Sequence, residues 1–121
     1  MKSIYDHLKF RLDSESAEYE FQIIPIPPYD FLEKNLSLEP YEYFGEVNEI
    51  LGYRTHQVIL YFNADVLMRV EMRFKGNVLT EIKQKLEELT IKLPPRVSLN
   101  LSFSQTSDHT IVIYQKSILN L

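Results

Sequence analysis

From Tyr53 the apolar period changes to two, and around one helical stripe that pattern commits 54–75 and 96–116 to antiparallel hairpins. The segment 66–75 sets Met68, Val70, Met72 and Phe74 against Arg69, Glu71, Arg73 and Lys75, so one face meets a core and the other meets water. Both methionines are expected in that core. Thr55–Phe62 is rich in branched and aromatic residues, and Asn63-Ala64-Asp65 supplies a hairpin loop before 66–75. Val97, Leu99, Leu101 and Phe103 alternate with Ser98, Asn100, Ser102 and Ser104; Gln105-Thr106-Ser107-Asp108 turns the chain, and 109–116 returns. Between the hairpins, Val78/Leu79, Ile82, Leu86 and Leu89 form the buried stripe of a helix 78–90, closed by Pro94-Pro95. Two hairpins, 54–75 and 96–116, bracketing a helix predict an α+β fold with a mostly antiparallel sheet.

The first half is less regular. Ser3-Ile4-Tyr5-Asp6 reads as a capping box for a helix 4–12 carrying Ile4, Leu8 and Leu12, although Leu8, Phe10 and Leu12 also alternate as a strand would. Tyr19, Phe21 and Ile23 alternate with Glu18, Glu20 and Gln22, predicting a half-buried strand 17–24 that Pro25-Ile26-Pro27-Pro28 ends as a rigid connector. Pro28 or Tyr29 opens a predicted helix through Leu36. Pro40 stands where the first helical residue would be, Tyr43/Phe44, Val47 and Ile50/Leu51 recur at helical spacing, and Gly52 is placed as the residue after the helix. Such a helix shows Glu42, Glu46 and Glu49 along one side. The expectation is one domain over 1–121, with a sheet of about five strands and two to four helices largely on one face.

Charge divides the chain. The net charge is −4, yet within 13–49 ten acids stand against the single base Lys34. Six of the eight tyrosines (Tyr5, Tyr19, Tyr29, Tyr41, Tyr43, Tyr53) lie in the same first 53 residues. An acidic field repels nucleic acid, whose affinity comes from cations on phosphates, and steers a basic protein instead. Acids also simply solvate a surface, but tyrosines among carboxylates supply interface anchors as well as charge. The partner-binding residues predicted from this pattern are Glu39, Tyr41, Glu42, Tyr43, Glu46 and Glu49.

Other chemistry is sparse. There is no cysteine, and the three glycines stand far apart, so no thiolate chemistry and no glycine-rich phosphate cradle are expected. No serine sits in a G-x-S-x-G elbow. His7, His56 and His109 lack metal-ligand spacing, and neither a metal nor a cofactor is expected. A pocket built from His56, His109 and Arg69 or Arg73 would suit a phosphate or a sugar; the competing reading has Arg69, Glu71 and Arg73 as cross-strand ion pairs on a solvated sheet face. No apolar run approaches the roughly 20 residues of a membrane span, and the N-terminal residues form no apolar signal core, so the expected compartment is the cytoplasm.

These features predict a non-catalytic protein-binding domain: a small acidic inhibitor, of the immunity-protein or antitoxin type, for a basic toxin such as a nuclease. A secretion-type chaperone would use the same surface. A small enzyme or ligand-binding domain, with its pocket between sheet and helices, is the alternative from a different class. The strand 96–104 carries no lysine or proline, the usual edge protection, so a homodimer through that edge is compatible with each.

Overall fold

The computed structural model describes residues 4–26, 32–33 and 36–117. In chain order it holds α1 (Ile4–Leu8), a 3₁₀ turn (Ser16–Tyr19), β1 (Ile23–Pro25), β2 (Leu32–Glu33), β3 (Leu36–Ser37), β4 (Glu39–Tyr43), β5 (Glu49–Ile50) and β6 (Tyr53–Arg54). There follow β7 (Gln57–Asn63), β8 (Val66–Lys75), α2 (Leu79–Glu88), β9 (Val97–Ser104) and β10 (His109–Lys116). Six strands form one antiparallel sheet in the order β1-β4-β7-β8-β10-β9, and β2-β3 and β5-β6 are separate two-stranded ladders. The architecture is broadly α+β but dominated by sheet, with more strands than the sequence predicts.

The second half folds as its periodicity dictates. β8 and β10 keep their predicted bounds, and α2 lies within the predicted 78–90. Asn63 pairs with Val66 across a two-residue turn in which Ala64 (φ 49°) and Asp65 (φ 69°) are both left-handed, the conformation that matches the twist of the flanking strands. Facing inward are Val58, Leu60 and Phe62 from β7, Leu67, Val70, Met72 and Phe74 from β8, and Val112 and Tyr114 from β10; Ile4 and Leu8 of α1 and Ile82 and Leu86 of α2 belong to the same core. Met68 does not. Tyr61 faces Arg69 and Phe62 faces Leu67, so a bulge leaves Met68 unpaired and packs it with Ile59, Tyr61, Leu38 and Ile26 in a second apolar cluster.

Thr110 joins β8 to α2. Its fully buried hydroxyl donates to the Gly76 carbonyl (2.8 Å) and accepts the Val78 N–H (2.9 Å), while Asn77 accepts the Leu79 N–H (3.2 Å). Gly76 takes φ 78°, which only glycine adopts without cost, and this lets the strand turn directly into the helix.

The first half departs from its predicted elements. Helix α1 stops at Leu8, because Lys9 adopts φ 76°; the chain then extends, burying Phe10 and Leu12 between exposed Lys9, Arg11 and Asp13. The predicted helix thus holds only for 4–8, and residues 9–12 form no strand although Leu8, Phe10 and Leu12 are buried in alternation. The predicted strand 17–24 is a 3₁₀ turn followed by a shorter β1, divided at Phe21, whose left-handed φ of 71° breaks the alternation. Of the predicted helix 28–36, residues 32–33 and 36–37 pair as strands β2 and β3, and the rest lies outside the described residues, as do Pro27 and Pro28.

The predicted helix 40–51 is replaced by β4, a loop and the β5–β6 hairpin. Tyr41 and Glu42 pair with both β1 and β7, and cross-strand burial of Tyr41 and Tyr43 outweighs a helical spacing that any short hairpin can reproduce. Gly45 lets the chain bend back over Gln22 and the Tyr43 ring, where a Cβ would collide with both. Leu51 (φ 55°) and Gly52 (φ 86°) then form the two-residue turn between Ile50 and Tyr53, so Gly52 closes a hairpin rather than a helix.

Candidate functional site

The six residues predicted to bind a partner do not share one ridge. Alternation along β4 sends Tyr41 and Tyr43 to the core side and Glu42 to the opposite face. Tyr43 is a core residue, edge-on to Phe10 at 4.9 Å and to Tyr19 at 6.3 Å, and its hydroxyl accepts the Val47 N–H at 3.1 Å. Tyr41 is half-buried against Phe62, at 5.6 Å. Neither ring is free to anchor a partner. Glu39, Glu42, Glu46 and Glu49 are all exposed: Glu39 at the start of β4, Glu42 on its outer face, Glu46 in the following loop and Glu49 opposite Arg54 in the small hairpin.

What stands beside those carboxylates is apolar. Phe21 is 87% exposed, Ile24 56% and Phe44 55%, and three of the five large exposed hydrophobic residues among those described are therefore here. They come together through the β1–β4 ladder: Ile24 lies opposite Glu42, the Phe44 N–H donates to the Gln22 carbonyl (2.9 Å), and Phe21 precedes Gln22 in the turn. Glu18 and Glu20 flank Phe21 in sequence, and Glu46 follows Phe44 by two; all are exposed. Three exposed apolar side chains thus stand on the β1–β4 ladder and the turn before it, with exposed Glu18, Glu20, Glu42 and Glu46 as their neighbours in sequence or register. Phe21 holds a left-handed backbone conformation that is unusual for an aromatic residue and turns its ring out of the sheet's alternation. The sequence signal pointed the other way, since Phe21 fell on the inward register of the predicted strand.

The outer face of the sheet is not simply solvated. Glu71 is buried, paired with Arg73 at 2.7 Å and with Arg69 at 3.8 Å, and it accepts the Tyr61 hydroxyl at 3.3 Å. Arg69 lies over the Tyr61 ring at 5.1 Å and donates to Gln115 at 3.0 Å. Burial first, then the neighbouring Glu71 charge, pushes the Tyr61 hydroxyl up to about 12. Arg69, Glu71 and Arg73 therefore pair along one strand around a buried carboxylate, rather than across strands on a solvated face. A groove of about 540 Å³ beside them is bordered by Ile26, Glu42 and Arg73.

His56 and His109 do meet: their rings stack at 4.7 Å and 22°. The His56 N–H donates to the Arg73 carbonyl at 2.7 Å, and His109 lies opposite Lys75. Partial desolvation, then the charges of His109, Lys75 and Arg73, hold the His56 imidazole below its ordinary range, against an opposing pull from Glu42. Next to this pair a cleft of about 500 Å³ is lined by Tyr53–His56, Phe74, Lys75 and Val78. His7 is not part of it.

Among the described residues, no three His, Asp or Glu side chains gather as a metal ion would require, and no helix is long and apolar enough to cross a membrane. Comparison with protein-family models, curated proteins and solved structures finds no match to this chain.

Proposed function

We propose that this chain is a non-catalytic protein-binding domain that works in the cytoplasm as an acidic inhibitor, of the immunity-protein or antitoxin kind, neutralising a basic partner such as a nuclease toxin. The observation that carries this reading is the exposed set Phe21, Ile24 and Phe44 among the carboxylates Glu18, Glu20, Glu42 and Glu46. An apolar patch rimmed by charge is the usual anatomy of an association surface, with aromatic rings as anchors and the rim setting partner choice. Burying one such phenylalanine contributes about 1.5–3 kcal/mol. Carboxylates of this density seat against a cleft built for phosphate, so a basic nuclease is the partner that fits. A secretion-type chaperone would offer the same surface to a basic client segment.

A second association is supported independently. β9 is the outer strand of the sheet, eight residues long with no charge or proline, and it borders an apolar crevice of about 400 Å³ containing Leu93 and Leu99. An unprotected edge of this kind pairs with a second copy of the chain.

Tagged wild-type protein and a Glu18→Lys/Glu20→Lys/Glu46→Lys variant are used in parallel to capture proteins from the source lysate at low and high salt. One stoichiometric basic protein is expected on the wild type, weakened by salt and absent from the variant, and its own activity falls when the wild type is added. Undiminished activity of that protein in the complex favours the chaperone reading. An empty wild-type bead, or a partner held equally by the charge-reversed variant, contradicts the proposal.

A further inference from the structure

The cleft beside His56 is unexplained by an acidic docking surface. Arg54, His56 and Lys75 line it, none of its described lining residues is acidic, and none of the three basic residues makes an ion pair among the described residues. Lys85 of α2 stands nearby, its ammonium 5.8 Å from the centre of the Tyr53 ring. In a protein of net charge −4, the permanent cations Arg54 and Lys75 and the imidazole of His56 share one cleft of about 500 Å³, with Glu49 opposite Arg54 in the small hairpin.

The cleft's frame is fixed by backbone. The Leu51-Gly52 turn delivers Tyr53 and Arg54, the His56–Arg73 backbone bond holds residue 56 on β8, and the Thr110 clamp on Gly76 and Val78 sets the opposite wall. Behind His56 the stacked His109 ring has its buried Nδ1 without a hydrogen-bond partner. Cations on a rigid frame, beside the hydroxyl-bearing residues Tyr53 and Thr55 and the apolar wall of Phe74 and Val78, match a compact oxyanion attached to a small organic body.

We infer that this cleft binds a phosphate-bearing small molecule, with the phosphate held by Arg54, His56 and Lys75. The inference is independent of the docking surface, which lies at the β1–β4 edge of the sheet.

The test is a titration of the purified chain with inorganic phosphate and with pyrophosphate, followed by backbone amide NMR at constant ionic strength, with acetate as the monovalent comparison. Saturable shifts confined to residues 53–56 and 74–78 are expected, strongest with pyrophosphate. Arg54→Gln and Lys75→Gln, both at exposed positions, each weaken binding about tenfold, while Lys83→Gln on the exposed side of α2 leaves it unchanged. Phe21→Ser also leaves it unchanged, which separates this site from the docking surface. Shifts that never saturate, or equal weakening by Lys83→Gln, overturn the inference.

Discussion

At the scale of single residues, the core is tied together by side chains that do two jobs. Tyr114 is fully buried on β10, and its hydroxyl donates to the Phe10 carbonyl at 2.5 Å, linking positions 104 residues apart. Phe10 belongs to the irregular segment after α1, which is part of no strand ladder. Tyr114→Phe keeps the ring and removes the donor, so it is expected to cost about 1–3 kcal/mol in urea unfolding with the slope unchanged. A loss within error of zero would mean that water replaces the hydroxyl. Residue scale is also where the sequence misleads about the site: composition identifies the glutamates, but exposure of Phe21 depends on one left-handed backbone angle that no periodicity encodes. Tyr41 and Tyr43 turn inward for the converse reason, because β4 has strands on both sides and its inward register packs on the core.

At the scale of elements, legibility follows the strength of the local pattern. β8 and β9 are legible because alternation over eight to ten residues has no helical counterpart, and β10 follows as the return strand of the second hairpin. The bulge at Met68 escaped because it shifts one residue without disturbing the hydrophobic count. Residues 40–51 were misread because apolar residues three and four apart occur equally in a strand, a loop and a tight hairpin, and only partner strands decide between them. The sequence also singled out the lysine-free strand, and in the fold it is the sheet's outer strand β9. Light scattering on the purified chain is expected to give twice the monomer mass, and Asn100→Lys/Ser102→Lys, both at exposed positions on β9, to return the monomer with its melting temperature unchanged by more than a few degrees. A wild-type chain that stays monomeric at every concentration rules out the edge pairing.

At the scale of the whole molecule, the buried tyrosines couple stability to alkaline pH. Desolvation raises Tyr5, Tyr19 and Tyr114 above the ordinary range, as it does Tyr61 at about 12. A phenol raised in the fold binds its proton more tightly there than in the unfolded chain. Its contribution is therefore complete below the ordinary tyrosine value near 10 and is lost as pH rises through the folded value. Unfolding midpoints are expected to hold up to about pH 10 and to fall steeply by about pH 12, with part of the tyrosinate absorbance appearing only as the fold is lost. Full tyrosine ionisation near pH 10 without unfolding would show those rings to be solvated. Exposed apolar side chains and carboxylates stand at β1 and β4, and Arg54, His56 and Lys75 line the cleft near the junction of β6, β8 and α2.

The most direct measurement is the dissociation constant of the captured basic partner, taken by calorimetry for the wild type and for Phe21→Ser/Phe44→Ser. Both rings are exposed, so the double variant keeps its fold and melting temperature. Loss of two aromatic anchors of about 1 kcal/mol or more each predicts binding weaker by roughly thirtyfold. Equal affinity of wild type and variant would contradict the claim that this patch is the docking surface.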